Sequence, residues 1–251
     1  MKRILRMTVL DVKFVFFSAL LCTNGFVTNA FSVNQNNNAN TIDRMIYSTE
    51  ALSESDDPIR MLDTAYNKGV RSFDIGQTCG GMGESERLFG EWLASRDIDR
   101  SDICIITKGG TRMDRYKHPD QPLLDMESLE MELDVSLNTL NVDHVDLYML
   151  HCDNNGLSIE KTVDWINVIL ESGKICKWGV SNWSFEKFKA AHKYANEKGH
   201  VPPSANSPQF SIAAPVCDVW PTMYSISQPH HETEIQWYAD NGVQLLCWEG
   251  E

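Results

Sequence analysis

The feature that most constrains the fold is a repeated pattern in which a short apolar stretch ends in a polar residue and a helix follows. In the segment Arg71–Leu93, an extended run ends at Asp74, a glycine-rich loop follows, and a helical pattern begins at Glu84. Two later apolar runs end at Lys108 and at His151. Titratable residues at the ends of successive strands are what a barrel enzyme needs for a shared site at one end of its sheet.

The same alternation of strand and helix continues from residue 42 onward, which predicts a parallel sheet in an α/β fold. The predicted strands are 44–49, 72–74, 103–107, 145–151, 177–181, 205–207 and 243–248. The predicted helices are 58–69, 84–93, 124–140, 159–172, 184–198 and 232–240. A complete (β/α)8 TIM barrel has eight of each. We therefore expect an incomplete barrel of about seven strands and six helices, with the edges of its first and last strands unpaired.

Residues 1–41 differ in composition from the rest of the chain. Basic residues near the start precede an apolar run, Phe14–Cys22, and the polar stretch 32–40 follows an alanine–phenylalanine pair that ends at Phe31. This order is typical of a signal peptide. The sequence predicts a presequence and polar linker at 1–41 that pack against nothing in the domain at 42–251, with a mature chain that begins near Phe31.

The presequence leaves several destinations open. An alanine–phenylalanine junction behind a signal core resembles presequences that reach a plastid through the endoplasmic reticulum. An ordinary secretory signal and an uncleaved membrane anchor are the alternatives. All three routes begin at the endoplasmic reticulum. The sequence therefore predicts entry into the endoplasmic reticulum but not the final compartment.

Charge and cysteine usage exclude several classes of partner. The formal net charge is −13 with no basic block, which argues against nucleic acid, and against a membrane as partner beyond the N-terminal signal. The seven cysteines include no CxxC pair and their count is odd, which disfavours a disulfide or zinc framework, and no metal ligand is predicted. The oligomeric state stays open.

Five motifs in order resemble the aldo-keto reductase family. They are FD followed by CGG and GESERLFG, IITKGG, VDLYMLH, GK followed by WGVSNWS, and NSPQFS, and together they extend from about residue 42 to the end. The resemblance implies an NADP-dependent oxidoreductase that transfers a hydride between NADPH and the carbonyl or alcohol of a small-molecule substrate.

The resemblance also implies the catalytic residues, which in this family are an aspartate, a tyrosine, a lysine and a histidine. Asp74, Lys108 and His151 fall on three of these positions, and Cys79 falls on that of the tyrosine. A thiol with an unperturbed pKa of about 8.5 is protonated at neutral pH. It ends roughly 3–4 Å short of a tyrosine hydroxyl, however, too far to transfer a proton in the same pose.

The cofactor contacts implied by the resemblance lie near the ends of the last strands. Ser181 and Asn182 match contacts to the nicotinamide carboxamide, Ser207 falls where many members carry a glutamine, and Trp248 matches an aromatic residue that stacks on the nicotinamide ring. Glu249 replaces a small hydroxyl residue near the cofactor pyrophosphate. The segment that grips the adenosine phosphate in the family is expected to be missing.

Two functions remain after the sequence analysis. The first is a reductase whose rate is lowered by the cysteine at the tyrosine position and by the incomplete cofactor site. The alternative is a non-catalytic relative that binds or regulates. Cys79 favours this alternative, and the retention of Asp74, Lys108 and His151 disfavours it.

Overall fold

A computed structural model describes residues 14–17, 42–77, 83–110, 125–151, 157–211, 223–227 and 231–248. The strands are β1 Phe14–Phe17, β2 Met45–Ser48, β3 Ser72–Asp74, β4 Cys104–Gly109, β5 Val145–Leu150, β6 Ile175–Ser181, β7 Ala205–Ser207 and β8 Gln244–Cys247. The helices are α1 Pro58–Asn67, α2 Glu84–Ala94, α3 Met126–Leu140, α4 Ile159–Glu171, α5 Phe185–Lys198 and α6 Glu232–Asp240.

The eight strands form one closed barrel of parallel strands in chain order. From β2 to β8 the described residues hold the seven strands and six helices that the sequence predicts, in the predicted order. The prediction of an α/β barrel is therefore confirmed. Because all the strands run in one direction, the residues at their carboxyl ends meet at one end of the barrel.

The eighth strand comes from the N-terminal segment. β1 pairs with β2, where Phe16 is opposite Met45, and with β8, where Phe16 is opposite Cys247 and Val15 is opposite Leu246. The expectation of unpaired edges is wrong, and so is the expectation that nothing before residue 42 packs against the barrel. An open barrel leaves two rows of unpaired N–H and C=O groups, and a short extended segment of the same chain satisfies both rows.

The helices begin where short polar side chains can cap them. Asp57 accepts a hydrogen bond from the backbone N–H of Arg60 and precedes Pro58 at the first helical position of α1. Helix α3 begins two residues later than predicted, because Asp125 accepts from the N–H of Ser128 and fixes the start at Met126. It ends at Asn141, whose φ is 55°.

Two clusters of buried apolar residues stabilise the barrel. A smaller cluster consists of Ile42, Ile46, Cys104, Ile106, Leu147, Met149, Ala205 and Leu246, and a larger one joins the strands to the surrounding helices. Helices α2 and α3 approach closely at Gly90, where an added Cβ would lie 2.6 Å from the carbonyl oxygen of Thr139. Among the helices that the structure describes, none has the length and apolar character needed to cross a membrane.

Candidate active site

The carboxyl ends of β3 and β4 bring together a buried ion pair. The Nζ of Lys108 donates to both carboxylate oxygens of Asp74, and the two residues are 8% and 5% exposed. Burial raises the pKa of Asp74, while the adjacent ammonium group of Lys108 opposes this rise. Breaking one half of such a pair leaves a charge without a partner in the interior, so each residue fixes the position of the other.

His151 follows the next strand, β5, and lies close enough to Lys108 for the charge of the lysine to affect its pKa. Its backbone N–H donates to the carbonyl oxygen of Gly109 at 2.9 Å, which ties the end of β5 to the end of β4. Burial, with a smaller contribution from the Lys108 charge, lowers the pKa of His151 to about 4. The imidazole is therefore neutral at physiological pH and carries one N–H that can donate to a substrate oxygen.

The backbone around this group of three is held by its neighbours. Thr49 follows β2, and its N–H and hydroxyl both donate to the carbonyl oxygen of Asp74, at 3.0 and 3.2 Å. Ser85, in the first turn of α2, donates in turn to the carbonyl oxygen of Thr49. The prediction for Cys79 lies outside the described residues, as does that for Glu249.

The predicted cofactor contacts form one hydrogen-bonded group at the ends of β6, β7 and β8. The amide of Asn182 donates to the Ser181 hydroxyl at 3.0 Å and accepts from the indole N–H of Trp248 at 3.2 Å. The backbone N–H of Asn182 donates to the carbonyl of Ser207, which holds asparagine at a φ of 62°. The Ser207 hydroxyl donates to the carbonyl of Leu246 at 2.6 Å. The structure thus brings these four residues together.

The sequence analysis missed a buried carboxyl group whose hydrogen-bond donor, Thr107, precedes Lys108 in β4. Glu86 lies in the first turn of α2 and is fully buried. The Thr107 hydroxyl donates to its Oε1 at 2.8 Å, and among the described residues its Oε2 has no hydrogen-bond partner. The same holds, within the described part of the chain, for the buried hydroxyl of Tyr148. The helical spacing of Glu86 to Phe89 and Gly90 placed it on the apolar side of the helix and could have revealed it.

This buried carboxyl group predicts a pH-dependent stability. Burial raises the pKa of Glu86, and the hydrogen bond from Thr107 opposes the rise. Between the ordinary glutamate pKa and the raised one, the folded protein keeps a proton that the unfolded chain has released. The contribution of Glu86 to the free energy of unfolding is therefore most favourable below the ordinary glutamate pKa, and it falls as the pH rises towards the raised pKa.

We expect Glu86→Gln to raise the free energy of unfolding at neutral pH by about 1–3 kcal/mol, because the amide removes a charge whose burial is only partly compensated. The difference from the wild type should disappear below the ordinary glutamate pKa. Urea unfolding across a pH series measures both effects. Glu91→Gln, on the exposed side of the same helix, is the matched control. Equal pH slopes in Glu86→Gln and wild type would contradict the prediction.

Comparison with known proteins identifies the family. The family model described as "Aldo/keto reductase family" matches residues 46–249, so the chain belongs to the aldo/keto reductase family. A solved thermostable aldo-keto reductase, bound to the inhibitor epalrestat, has a TM-score of 0.60 and 24% identity. The match covers 77% of this chain and 59% of that one, and it shows the same fold.

Two curated relatives illustrate the range of the family. An aryl-alcohol dehydrogenase of Pestalotiopsis microspora is 31% identical over 155 residues, covering 60% of this chain and 40% of the relative. A protein of Schizosaccharomyces pombe, provisionally named a voltage-gated potassium channel subunit beta, is 28% identical over 154 residues, covering 60% and 43%. The matches thus span less than half the length of these relatives.

Proposed function

We propose that the protein is an NADP-dependent oxidoreductase that transfers a hydride between NADPH and the carbonyl or alcohol of a small molecule. The observation that carries this proposal is the buried Asp74–Lys108 ion pair beside the neutral His151, at the carboxyl ends of three successive strands. A lone ion pair or a lone histidine in this position is ordinary core structure. A charged pair and a neutral imidazole together supply what a carbonyl oxygen needs as it gains negative charge.

Each residue has a distinct role in the proposed reaction. His151 donates a hydrogen bond to the substrate oxygen and orients the carbonyl. The charge of Lys108 stabilises the developing negative charge and lowers the pKa of a neighbouring proton donor, and Asp74 holds the ammonium group in place. A carbonyl must also receive a proton. With Cys79 in place of the tyrosine, this position offers no side chain of the expected length to donate it, so we expect slow turnover.

The residues at the ends of β6, β7 and β8 suit the nicotinamide end of NADP. Hydroxyl groups and a carboxamide can exchange hydrogen bonds with the carboxamide of the cofactor, and the half-buried indole of Trp248 is already fixed by its N–H bond to Asn182. Ser181, Asn182 and Ser207 would hold the carboxamide, and Trp248 would support the ring. NADPH supplies the hydride, and the protein supplies binding and orientation.

A second candidate is a non-catalytic relative that binds NADPH and regulates or recognises another molecule. The cysteine at position 79 favours it because that residue lacks the reach of the tyrosine. In addition, one of the matched relatives is named as a channel subunit rather than an oxidoreductase. Retention of the ion pair and of His151 favours the reductase.

Turnover with a panel of generic aldehydes separates the two candidates. We expect the purified protein to oxidise NADPH slowly in the presence of at least one aldehyde, and Lys108→Met to remove this activity. Lys193→Met changes an exposed lysine on α5 and should have no effect. NADPH fluorescence titration checks that each variant still binds the cofactor. NADPH binding without aldehyde-dependent oxidation would support the non-catalytic candidate.

A further inference from the structure

A group of three potential metal ligands lies at the other end of the barrel from the candidate active site. A ring nitrogen of His144, a carboxylate oxygen of Asp146 and the Sγ of Cys176 lie within 4.8 Å of one another. His144 immediately precedes β5, Asp146 is its second residue, and Cys176 is the second residue of β6. The three residues are thus at the amino ends of neighbouring strands.

The register of the two strands explains why these side chains converge. Val145 is opposite Ile175 and Leu147 is opposite Lys177, so Asp146 and Cys176 occupy matching positions between these pairs. Side chains alternate along a strand, so equivalent positions on neighbouring parallel strands face the same side. His144 is two residues before Asp146 and therefore faces that side as well.

The carboxylate of Asp146 is held in position by hydrogen bonds to only one of its two oxygens. The residue is 6% exposed, and its Oδ2 accepts from the Nη2 of Arg100 at 2.7 Å and from the backbone N–H of Ile105 at 2.8 Å. In the described part of the chain, its Oδ1 accepts no hydrogen bond from a side chain or the backbone. This oxygen is not one of the buried atoms without a partner among the described residues, so it can also bind a cation.

His144 has the surroundings of a metal-bound imidazole. Its Nδ1 lies 2.6 Å from the Oδ1 of Asp143. Metal-binding histidines usually donate one ring N–H to a carboxylate and bind the metal through the other nitrogen. Binding through Nε2 would leave the pair with Asp143 intact.

We propose that His144, Asp146 and Cys176 bind a divalent metal ion of the zinc class, with water as the fourth ligand. Imidazole, carboxylate and thiolate are the donors that Zn²⁺ takes, whereas Ca²⁺ and Mg²⁺ require oxygen ligands. The thiol loses its proton to solvent on binding. Around Cys176, the thiolate and the carboxylates of Asp143 and Asp146 would offset the positive charges of Arg100, Lys177 and the metal.

The geometry requires only small changes. Tetrahedral zinc with bonds of about 2.0–2.3 Å places its ligand atoms roughly 3.3–3.8 Å apart. The three donors, which lie within 4.8 Å of one another, must therefore approach by up to about 1.5 Å. His144 is half-buried and Cys176 is exposed, so rotations of their side chains can achieve this while Asp146 stays fixed. The metal would clamp β5 to β6 away from the reaction centre, as a structural site.

Cobalt(II) titration of the full chain, after treatment with a chelator, tests the proposal. We expect one equivalent of Co²⁺ to bind, with a thiolate-to-metal charge-transfer band and the visible bands of tetrahedral cobalt, and Zn²⁺ to displace it. Cys176→Ser should abolish the charge-transfer band. His144→Ala should weaken binding at least about tenfold. His192→Ala removes a histidine on α5 and should leave the titration unchanged.

Thermal unfolding provides a readout independent of the spectrum. At a Zn²⁺ concentration about 100 times the Kd, the Tm of the wild type should rise by roughly 5–10 °C, and the rise should be much smaller in Cys176→Ser and in His144→Ala. A charge-transfer band that persists in Cys176→Ser would overturn the proposal, since another cysteine would then be the ligand. Failure of the wild type to bind one equivalent would overturn it as well.

Discussion

Replacing Cys79 by tyrosine is expected to raise kcat for aldehyde reduction on the order of 10²-fold or more, because under the proposed function it restores the general acid that the family carries at this position. In the proposed site the other three residues are Asp74, Lys108 and His151, and the structure shows the ion pair between the first two and the lowered pKa of the third. The affinity for NADPH should change little, because the phenol acts on the substrate oxygen. Steady-state kinetics together with NADPH fluorescence titration measure both quantities.

The dependence on Lys108 distinguishes this gain from a general improvement in packing. The gain should disappear in Cys79→Tyr combined with Lys108→Met, because the charge of the lysine is what tunes the phenol. Cys79→Phe adds a ring of nearly the same size without a hydroxyl group and should give no gain. An unchanged kcat in Cys79→Tyr with normal NADPH binding would contradict the alignment of position 79 with the tyrosine, or the activity of the remaining three residues.

Removal of residues 1–41 is the change expected to affect stability most. It deletes β1 and leaves the backbone groups of β2 and β8 without partners along two edges. Each lost backbone hydrogen bond contributes about 1 kcal/mol, so a loss of several kcal/mol and a fall in Tm of roughly 10 °C are expected. The apolar edge of β8 should also cause self-association, which size-exclusion chromatography with light scattering would detect.

Two further variants distinguish the effect of losing β1 from the effect of shortening the chain. A chain lacking residues 2–12 keeps Phe14–Phe17 and should behave as the full chain does. Val15→Pro removes a backbone N–H from β1 and should lower the Tm in part. A monodisperse, cooperatively unfolding chain without residues 1–41 would contradict the account of β1 as the strand that closes the barrel.

The role of β1 bears on the predicted presequence. Cleavage near Phe31 would remove the strand, so a chain processed in this way and a barrel closed by β1 cannot be the same molecule. N-terminal sequencing of the native protein tests this prediction: a chain that begins near Phe31 supports cleavage, and one that retains Met1 supports closure by β1. Routing through the endoplasmic reticulum, to a plastid or elsewhere, stays a prediction.

The elements from β2 onward could be predicted because each carries a local signal. Asp57 and Pro58 begin α1, Asn141 ends α3, and short extended runs of three to seven residues, most of them apolar, form the strands. The polar residues at the ends of β3, β4 and β5 meet because parallel strands share one direction, which follows from the alternation alone. The seven strands and six helices therefore required no tertiary information.

The features that the sequence analysis missed depend on contacts between distant residues. The run Phe14–Phe17 has the same apolar character in a signal core as in a barrel strand, and only the two edges that it pairs with decide between them. The His144, Asp146 and Cys176 group spans two strands separated by a helix, and a search for CxxC spacing does not find it. The hydrogen bonds that join Ser181, Asn182, Ser207 and Trp248 also form only when three strands are neighbours.

The most direct test of the proposed function is the transfer of deuterium from NADPH labelled at C4, on either face, to an aldehyde. Mass spectrometry of the alcohol product detects even slow turnover, and it excludes NADPH loss by other routes. We predict deuterated alcohol from one of the two labelled cofactors with the wild type and none with Lys108→Met. Absence of deuterium from the product of a wild-type protein that binds NADPH, or equal transfer by Lys108→Met, would contradict the proposal that Asp74, Lys108 and His151 form a working reductase site.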